Sequence, residues 1–182
     1  MGQWMAAGER VVVVVVVQTN LRVLKKSRRA PEPGDVFAAQ LPDGGYLFGR
    51  VILANVPQRS APMPGANLIY IYSHRSPAPT IDEGKLLPGR LLLPPVWTNN
   101  LAWTKGYFYT VANQPLRTFD LLRQHCFRRV ALRPGVPEKF LDEGGLELKH
   151  RYEPCGEWAL ASYRWIDDHV SDAMGVPRVP DE

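Results

Sequence analysis

The sequence predicts an α+β domain: a twisted antiparallel β-sheet, open or curling into a partial barrel, with a C-terminal α-helix packed on it. Three observations carry this reading. Val36 to Leu41 and Tyr46 to Ala54 are β-prone runs joined by Pro42-Asp43-Gly44-Gly45, and glycine supplies the positive φ that such a hairpin turn requires. Seventeen prolines and fifteen glycines in 182 residues favour short elements and many turns over a helical bundle. Residues from about Tyr163 to Met174 carry the cap, the periodicity and the stop of a helix.

The hairpin opens at Pro33-Gly34-Asp35. In its second strand, alternation places Tyr46, Phe48, Arg50 and Ile52 on one face and Leu47, Gly49, Val51 and Leu53 on the other. Gly49 in mid-strand marks a bulge or the close approach of another backbone. Before the hairpin, Leu21 to Leu24 could pair with the valines of residues 11–17 across Gln18-Thr19-Asn20. Beyond it, Pro57 to Gly65 is a proline-rich loop, and Asn67 to Tyr72 has the β-branched and aromatic content of a strand. Ser73 to Pro79 reads as irregular, and Thr80 can cap a helical turn over Ile81-Asp82-Glu83. Leu91 to Leu93 stops at Pro94-Pro95 and is at most a short or edge strand.

Trp97 to Val111 is the aromatic centre, with Trp103 and Phe108 expected in the core and Gly106 to Val111 alternating as a strand. Thr118 to Arg133 is ambiguous: Leu121, Leu122, His125 and Cys126 fit helical spacing, whereas Phe127 to Arg133 looks extended. Phe140 to Leu148 carries a second hairpin signal at Gly144-Gly145. In the final helix, Ser162 is the expected cap, Gly175 the stop, and Pro177 lies just beyond. Ile166, Val170, Ala173 and Met174, joined by Tyr163, form its apolar stripe, and Asp168 and Asp172 stand opposite. Trp158 and Trp165 near the start of the helix are expected to close the core.

Seven consecutive valines, Val11 to Val17, are too few to span a bilayer, which takes about 20 apolar residues in a helix. Only Arg10 precedes them closely and no small-residue cleavage pattern follows, which argues against a secretory signal or membrane anchor. The expected organisation is an N-terminal extension over residues 1–24, with a polyvaline strand, and a single domain over residues 25–182. Cys126 and Cys155 form no Cys-x-x-Cys pair; they read as reduced thiols of a cytoplasmic protein, with a bridge between them as the alternative.

The net charge of +4 is unevenly spread. Residues 1–137 carry seventeen Lys/Arg and seven Asp/Glu, a net of +10, and residues 138–182 carry five and eleven, a net of −6. The polarity is either that of an ordinary solvated surface or that of an acidic end facing a basic partner. Arg28, Arg29, Arg128 and Arg129 could serve a nucleic-acid-binding module, but no aromatic residue is interleaved with the first pair.

Catalytic signatures are missing from the sequence. It contains no phosphate-binding glycine loop, no dinucleotide fingerprint and no Gly-x-Ser-x-Gly elbow. His74, His125, His150 and His169 have no paired metal spacing, so no metal and no cofactor is expected. A thiol hydrolase would need Cys126 or Cys155 brought beside a histidine. Adjacent His125 and Cys126 diverge in direction whether the segment is helix or strand.

Three segments occur in an order that resembles the immunity protein 26 family of bacterial polymorphic toxin systems. The first runs from Lys26-Ser27-Arg28-Arg29 through Pro33-Gly34-Asp35-Val36-Phe37 to Tyr46-Leu47-Phe48-Gly49-Arg50-Val51. The second is Trp103-Thr104-Lys105-Gly106-Tyr107-Phe108 followed by Asn113-Gln114-Pro115-Leu116. The third is Phe140 to Gly145, then Cys155-Gly156 and the helix with Ser162-Tyr163 and Ile166-Asp167. Within them, Gly34, Asp35, Phe37, Gly49, Trp103 and Gly106 are expected to be scaffold.

The resemblance implies a non-enzymatic α+β protein that binds a cognate toxin protein and blocks it by direct contact, with no catalytic residue to carry over. An inhibitor of this kind needs a rigid frame, a complementary surface and steering charge. Glu143, Glu147, Asp168 and Asp172, at the acidic end, are the candidate toxin-binding residues, facing a basic toxin surface such as that of a nuclease. Neither a membrane nor nucleic acid is the expected partner.

Overall fold

The computed structural model describes residues 18–131, 135 and 137–180. Its centre is a five-stranded antiparallel sheet built from β1 (Asp35–Gln40), β2 (Tyr46–Val56), β3 (Ala66–Ser76), β4 (Val96–Thr98) and β5 (Tyr109–Asn113), in the order β4-β3-β2-β1-β5. The sheet is open. A second sheet, β7-β6-β8, comprises β6 (Cys126–Arg129), β7 (Lys139–Leu141) and β8 (Cys155–Glu157). β6 runs antiparallel to β7 and parallel to β8. Two helices complete the fold, α1 (Leu101–Lys105) and α2 (Tyr163–Met174).

Both faces of the main sheet are buried, which explains why its strands read as near-continuous apolar runs. Alternation sends Phe37, Leu47, Val51, Ile69 and Ile71 into one core with Trp103 of α1 and with Ile166 and Val170 of α2. The intervening Val36, Phe48, Ile52, Leu68 and Tyr70 enter a second core with Phe127 of the small sheet, against which Trp158 packs. The order of layers is therefore helices, main sheet, small sheet.

β1 and β2 form the expected hairpin, with Gln40 opposite Tyr46 and Gly44 at φ +91° in the turn. Phe48 and Ile52 share one core and Leu47 and Val51 the other, as the alternation predicts. Leu53 departs from it and packs with Phe48 and Ile52, because the β2–β3 register shifts between Val51 and Leu53. Gly49 is both a register irregularity and a close approach: a Cβ there would lie 2.1 Å from the Phe37 ring and 2.6 Å from the Tyr70 carbonyl oxygen.

Several boundaries differ from expectation. β3 continues to Ser76, through residues read as irregular. The turn expected under a Thr80 cap is a 3-10 turn at Glu83–Lys85 with Asp82 at its N-terminus and no side-chain cap. Leu91 makes only an isolated bridge to Tyr72, after a 3-10 turn at Pro88–Arg90. Gly106 belongs to the end of α1, at φ +92° with its N–H donating to the Ala102 and Trp103 carbonyls, so β5 begins only at Tyr109. No helix forms over Leu121 to Cys126; a 3-10 turn at Thr118–Asp120 precedes β6.

The second hairpin forms, with Leu141 bridging Glu147 and Leu148 N–H donating to the Phe140 carbonyl. α2 has the expected cap and stop: Ser162 Oγ accepts the Trp165 N–H, and Gly175 takes φ +69°. Ala173, expected in its apolar stripe, is exposed. The rest of the stripe holds: Ile166 and Val170 are buried in the helix-side core, Tyr163 and Met174 pack against it partly buried, and Asp167 and Ser171 are buried beside them. The polyvaline run lies outside the described residues. Leu21 is buried in the helix-side core, and Arg22 bridges Gln40 at the end of β1.

Candidate functional site

The family-motif residues converge around the first hairpin. Phe37 stacks on Phe108 with ring centroids 4.3 Å apart and meets Trp103 edge-on at 5.3 Å. Gly34 takes φ +88° where a Cβ would fall 2.3 Å from the Gln114 carbonyl oxygen. Asp35 is fully buried, yet its carboxylate accepts both Arg29 Nη groups, at 2.9 and 3.1 Å, and Asn113 Nδ2 at 2.9 Å. These contacts tie the segment before β1 to the end of β5.

Two buried polar clusters lie on the small-sheet side. Arg50, an inward-facing cation on an otherwise apolar strand face, pairs with Asp120 at 3.1 Å and donates to the Gln114 carbonyl. Burial alone would raise the Asp120 pKa, but the Arg117 backbone N–H, the Arg117 side chain and Arg50 together hold it below the usual carboxylate value. In the second cluster, His125 lies between Glu143 at 3.1 Å and the Tyr70 hydroxyl at 2.6 Å, and that hydroxyl accepts the Leu122 N–H. The Nδ1–H tautomer satisfies the set: Nδ1 donates to Glu143 while Nε2 accepts the tyrosine proton. The bond from His125 holds the Glu143 pKa below its usual value, and burial pushes the Tyr70 phenol up to about 12.

The four candidate acids fall into two groups. Glu143 and Glu147 sit on the β7 hairpin, the first bound to His125 and the second to Lys139 Nζ at 2.6 Å. Asp168 and Asp172 sit one turn apart on α2, Asp168 beside Arg164 at 3.4 Å and Asp172 bound by Arg178 Nε at 2.8 Å. Glu143, Glu147 and Asp172 are substantially exposed, whereas Asp168 is mostly covered.

Asp167, which the sequence offered only within the family pattern and as half of an Asp167-Asp168 pair too common to imply acid–base work, anchors α2. Its carboxylate oxygens accept the Leu21 N–H at 2.6 Å and the Asn20 N–H at 3.0 Å. The Asp-Asp doublet was the available signal, but its two members have opposite roles. Burial raises the Asp167 pKa against the opposing effect of those two N–H groups.

Beside α2 runs a groove of about 430 Å³ lined by Trp97, Cys155, Glu157, Leu160, Trp165 and His169 among others. Trp165 and His169 stack along its wall with ring centroids 3.6 Å apart. Cys126 and Cys155 are free thiols. Burial, followed by the Cys126 sulfur, pushes the Cys155 thiol up to about 12, which opposes formation of the thiolate that a hydrolase nucleophile needs. His125 is engaged by Glu143 and Tyr70.

The arginines proposed for nucleic acid are partly committed within the protein. Arg29 binds Glu32 and Asp35, and Arg128 binds Glu138 and Glu157, while Arg28 and Arg129 are exposed. Among the described residues, no helix is long and apolar enough to cross a membrane, and no cluster of three or more His, Cys, Asp or Glu is placed to hold a metal.

The chain thus presents a mixed α+β frame with a buried Arg50–Asp120 pair and an acidic C-terminal end. Comparison with known families matches residues 32–135 to Immunity protein 26, more than half of the chain, and the chain belongs to that family. This membership implies an immunity protein of toxin systems, with a toxin as partner. The matched span runs from just before β1 to just after β6. It therefore holds the second resembling segment and the first from Pro33 onward, while Lys26 to Arg29, the third segment and all four candidate acids lie outside it. No curated protein matches the chain, and no solved structure matches it.

Proposed function

We propose that the protein binds a cognate bacterial toxin effector in the cytoplasm and neutralises it by direct protein–protein contact, as the immunity partner in a polymorphic toxin system. The observation that carries this reading is the Immunity protein 26 match over β1 to β6. The matched residues include all five strands of the main sheet and much of both cores, so they specify a frame and leave the recognition surface free to differ. Residues 25–182 act as one immunity domain in this reading.

The acidic end is the proposed recognition surface, with Glu143, Glu147, Asp168 and Asp172 facing a basic toxin such as a nuclease. Its net charge of −6 over residues 138–182 supplies the steering field. The Lys139–Glu147 and Arg178–Asp172 pairs are solvent-exposed. Exposed pairs are worth only about 0–1 kcal/mol, so a toxin cation can displace the internal partner at small cost.

Co-expression with the toxin encoded beside this gene tests the function. Restored growth together with co-purification of the two chains is expected; a toxin that still kills, with this chain folded and abundant, contradicts it. The siting has its own test. Reversal of Asp168 and Asp172 to lysine should slow association and weaken neutralisation, whereas unchanged association and protection would remove these residues from the interface.

A further inference from the structure

Cys126 and Cys155 are register partners across the parallel β6–β8 pair, and their sulfurs lie 3.1 Å apart. Neighbouring strands run about 4.8 Å apart, inside the Cα separation of roughly 4.4–6.8 Å that a disulfide spans. The two sulfurs therefore already face each other, and side-chain rotation alone suffices to join them. Their surroundings differ in a way that sets an order of events. Cys126 is fully buried, while Cys155 is partly exposed and lines the groove beside Trp97, Trp165 and His169. A small reagent can thus reach Cys155, and Cys126 waits behind it as a resolving thiol.

We infer that Cys126 and Cys155 are a modification site: a dithiol that forms a reversible cross-strand disulfide by exchange with a small-molecule disulfide such as oxidised glutathione. In the first step the Cys155 thiolate attacks one glutathione sulfur, giving a mixed disulfide and releasing one glutathione thiolate. In the second, the Cys126 thiolate attacks the Cys155 sulfur, closing the protein disulfide and releasing the other glutathione. The two protein thiols lose two protons and two electrons, and oxidised glutathione is reduced to two molecules of glutathione. Because burial raises the Cys155 pKa, exchange is slow at neutral pH and quickens as the pH rises. The bridge closes a chain separation of 29 residues and pins β8, one wall of the groove, to β6. Restricting the unfolded chain in this way stabilises the fold.

The purified full chain is incubated with oxidised glutathione at about pH 8.5, where the thiolate fraction is larger, alkylated, and weighed intact without reductant. The expected product is lighter than the reduced chain by two hydrogens, carries no alkylated cysteine, and reverts with dithiothreitol. Its Tm should rise by roughly 5–10 °C. Cys126→Ser, or Cys126→Ala should the serine fail to fold, is expected to hold glutathione stably on Cys155. A wild-type chain that keeps the glutathione adduct overturns the inference. So does one whose two cysteines both remain alkylatable under conditions that oxidise the urea-unfolded chain.

Discussion

Arg50 and Asp120 are where a single residue matters most. Arg50 is almost wholly buried, pairs with Asp120 and donates to the Gln114 carbonyl. Asp120→Ala would leave a buried cation without its counter-charge, and we expect a loss of about 3–5 kcal/mol in urea unfolding. Gly49→Ala is expected to cost about 3 kcal/mol or more, because a methyl group cannot fit against the Phe37 ring and the Tyr70 carbonyl without moving β2. Arg50 was visible in the sequence as a charge on an apolar strand face, but nothing local marks a partner seventy residues away. Gly49 was legible because its anomaly, glycine inside a strand, is local. pH reports on the same scale. Asp120 and Glu143 both have depressed pKa values, so the folded state releases their protons more readily than the unfolded chain. Their contribution is complete above the ordinary carboxylate pKa of about 4 and is lost as the pH falls through the lower folded values. Thermal unfolding between pH 7 and pH 3 should show that loss, and Glu143→Gln should reduce the acid sensitivity.

At the scale of elements, α2 rests on its N-cap and on the anchor that Asp167 provides. Ser162→Ala removes the acceptor for the Trp165 N–H and should lower stability by about 1 kcal/mol. Asp167→Ala strips the acceptors from the Asn20 and Leu21 N–H groups and should cost about 2–3 kcal/mol. Hydrogen exchange at Asn20 and Leu21 should then rise well before exchange at β2, which would separate local release from global unfolding. Elements with local signals were readable: the Asp43-Gly44 turn, the Ser162 cap and the Gly175 stop each identify themselves within a few residues. The small sheet was readable only in part, through the extended run at Phe127 and the Phe140–Leu148 hairpin. Its β6–β8 pair joins short strands across a separation of 29 residues, and parallel pairing leaves no turn signature in between. Leu53 was misplaced for a related reason, since period-2 reasoning fails wherever a bulge inserts a residue.

For the whole molecule, the three-layer arrangement separates frame from surface. The matched residues 32–135 include the five strands of the main sheet, and the acidic hairpin and α2 follow on the outside of that span. Such a division suits an inhibitor that keeps one fold while its partner varies, and it explains why sequence motifs identified the family but not the partner. The candidate acids were legible only as a charge excess. Arg164 lies one helical turn from Asp168 and was within reach of sequence reasoning, whereas Lys139, Arg178 and His125 are brought to their acids only by the fold. Direct contact is the central claim, and calorimetric titration of the purified chain with the purified toxin encoded beside it tests that claim most directly. The account predicts a saturable one-to-one complex with a negative heat-capacity change from buried apolar surface. A toxin that this chain neutralises in cells but that gives no complex in the calorimeter would contradict it.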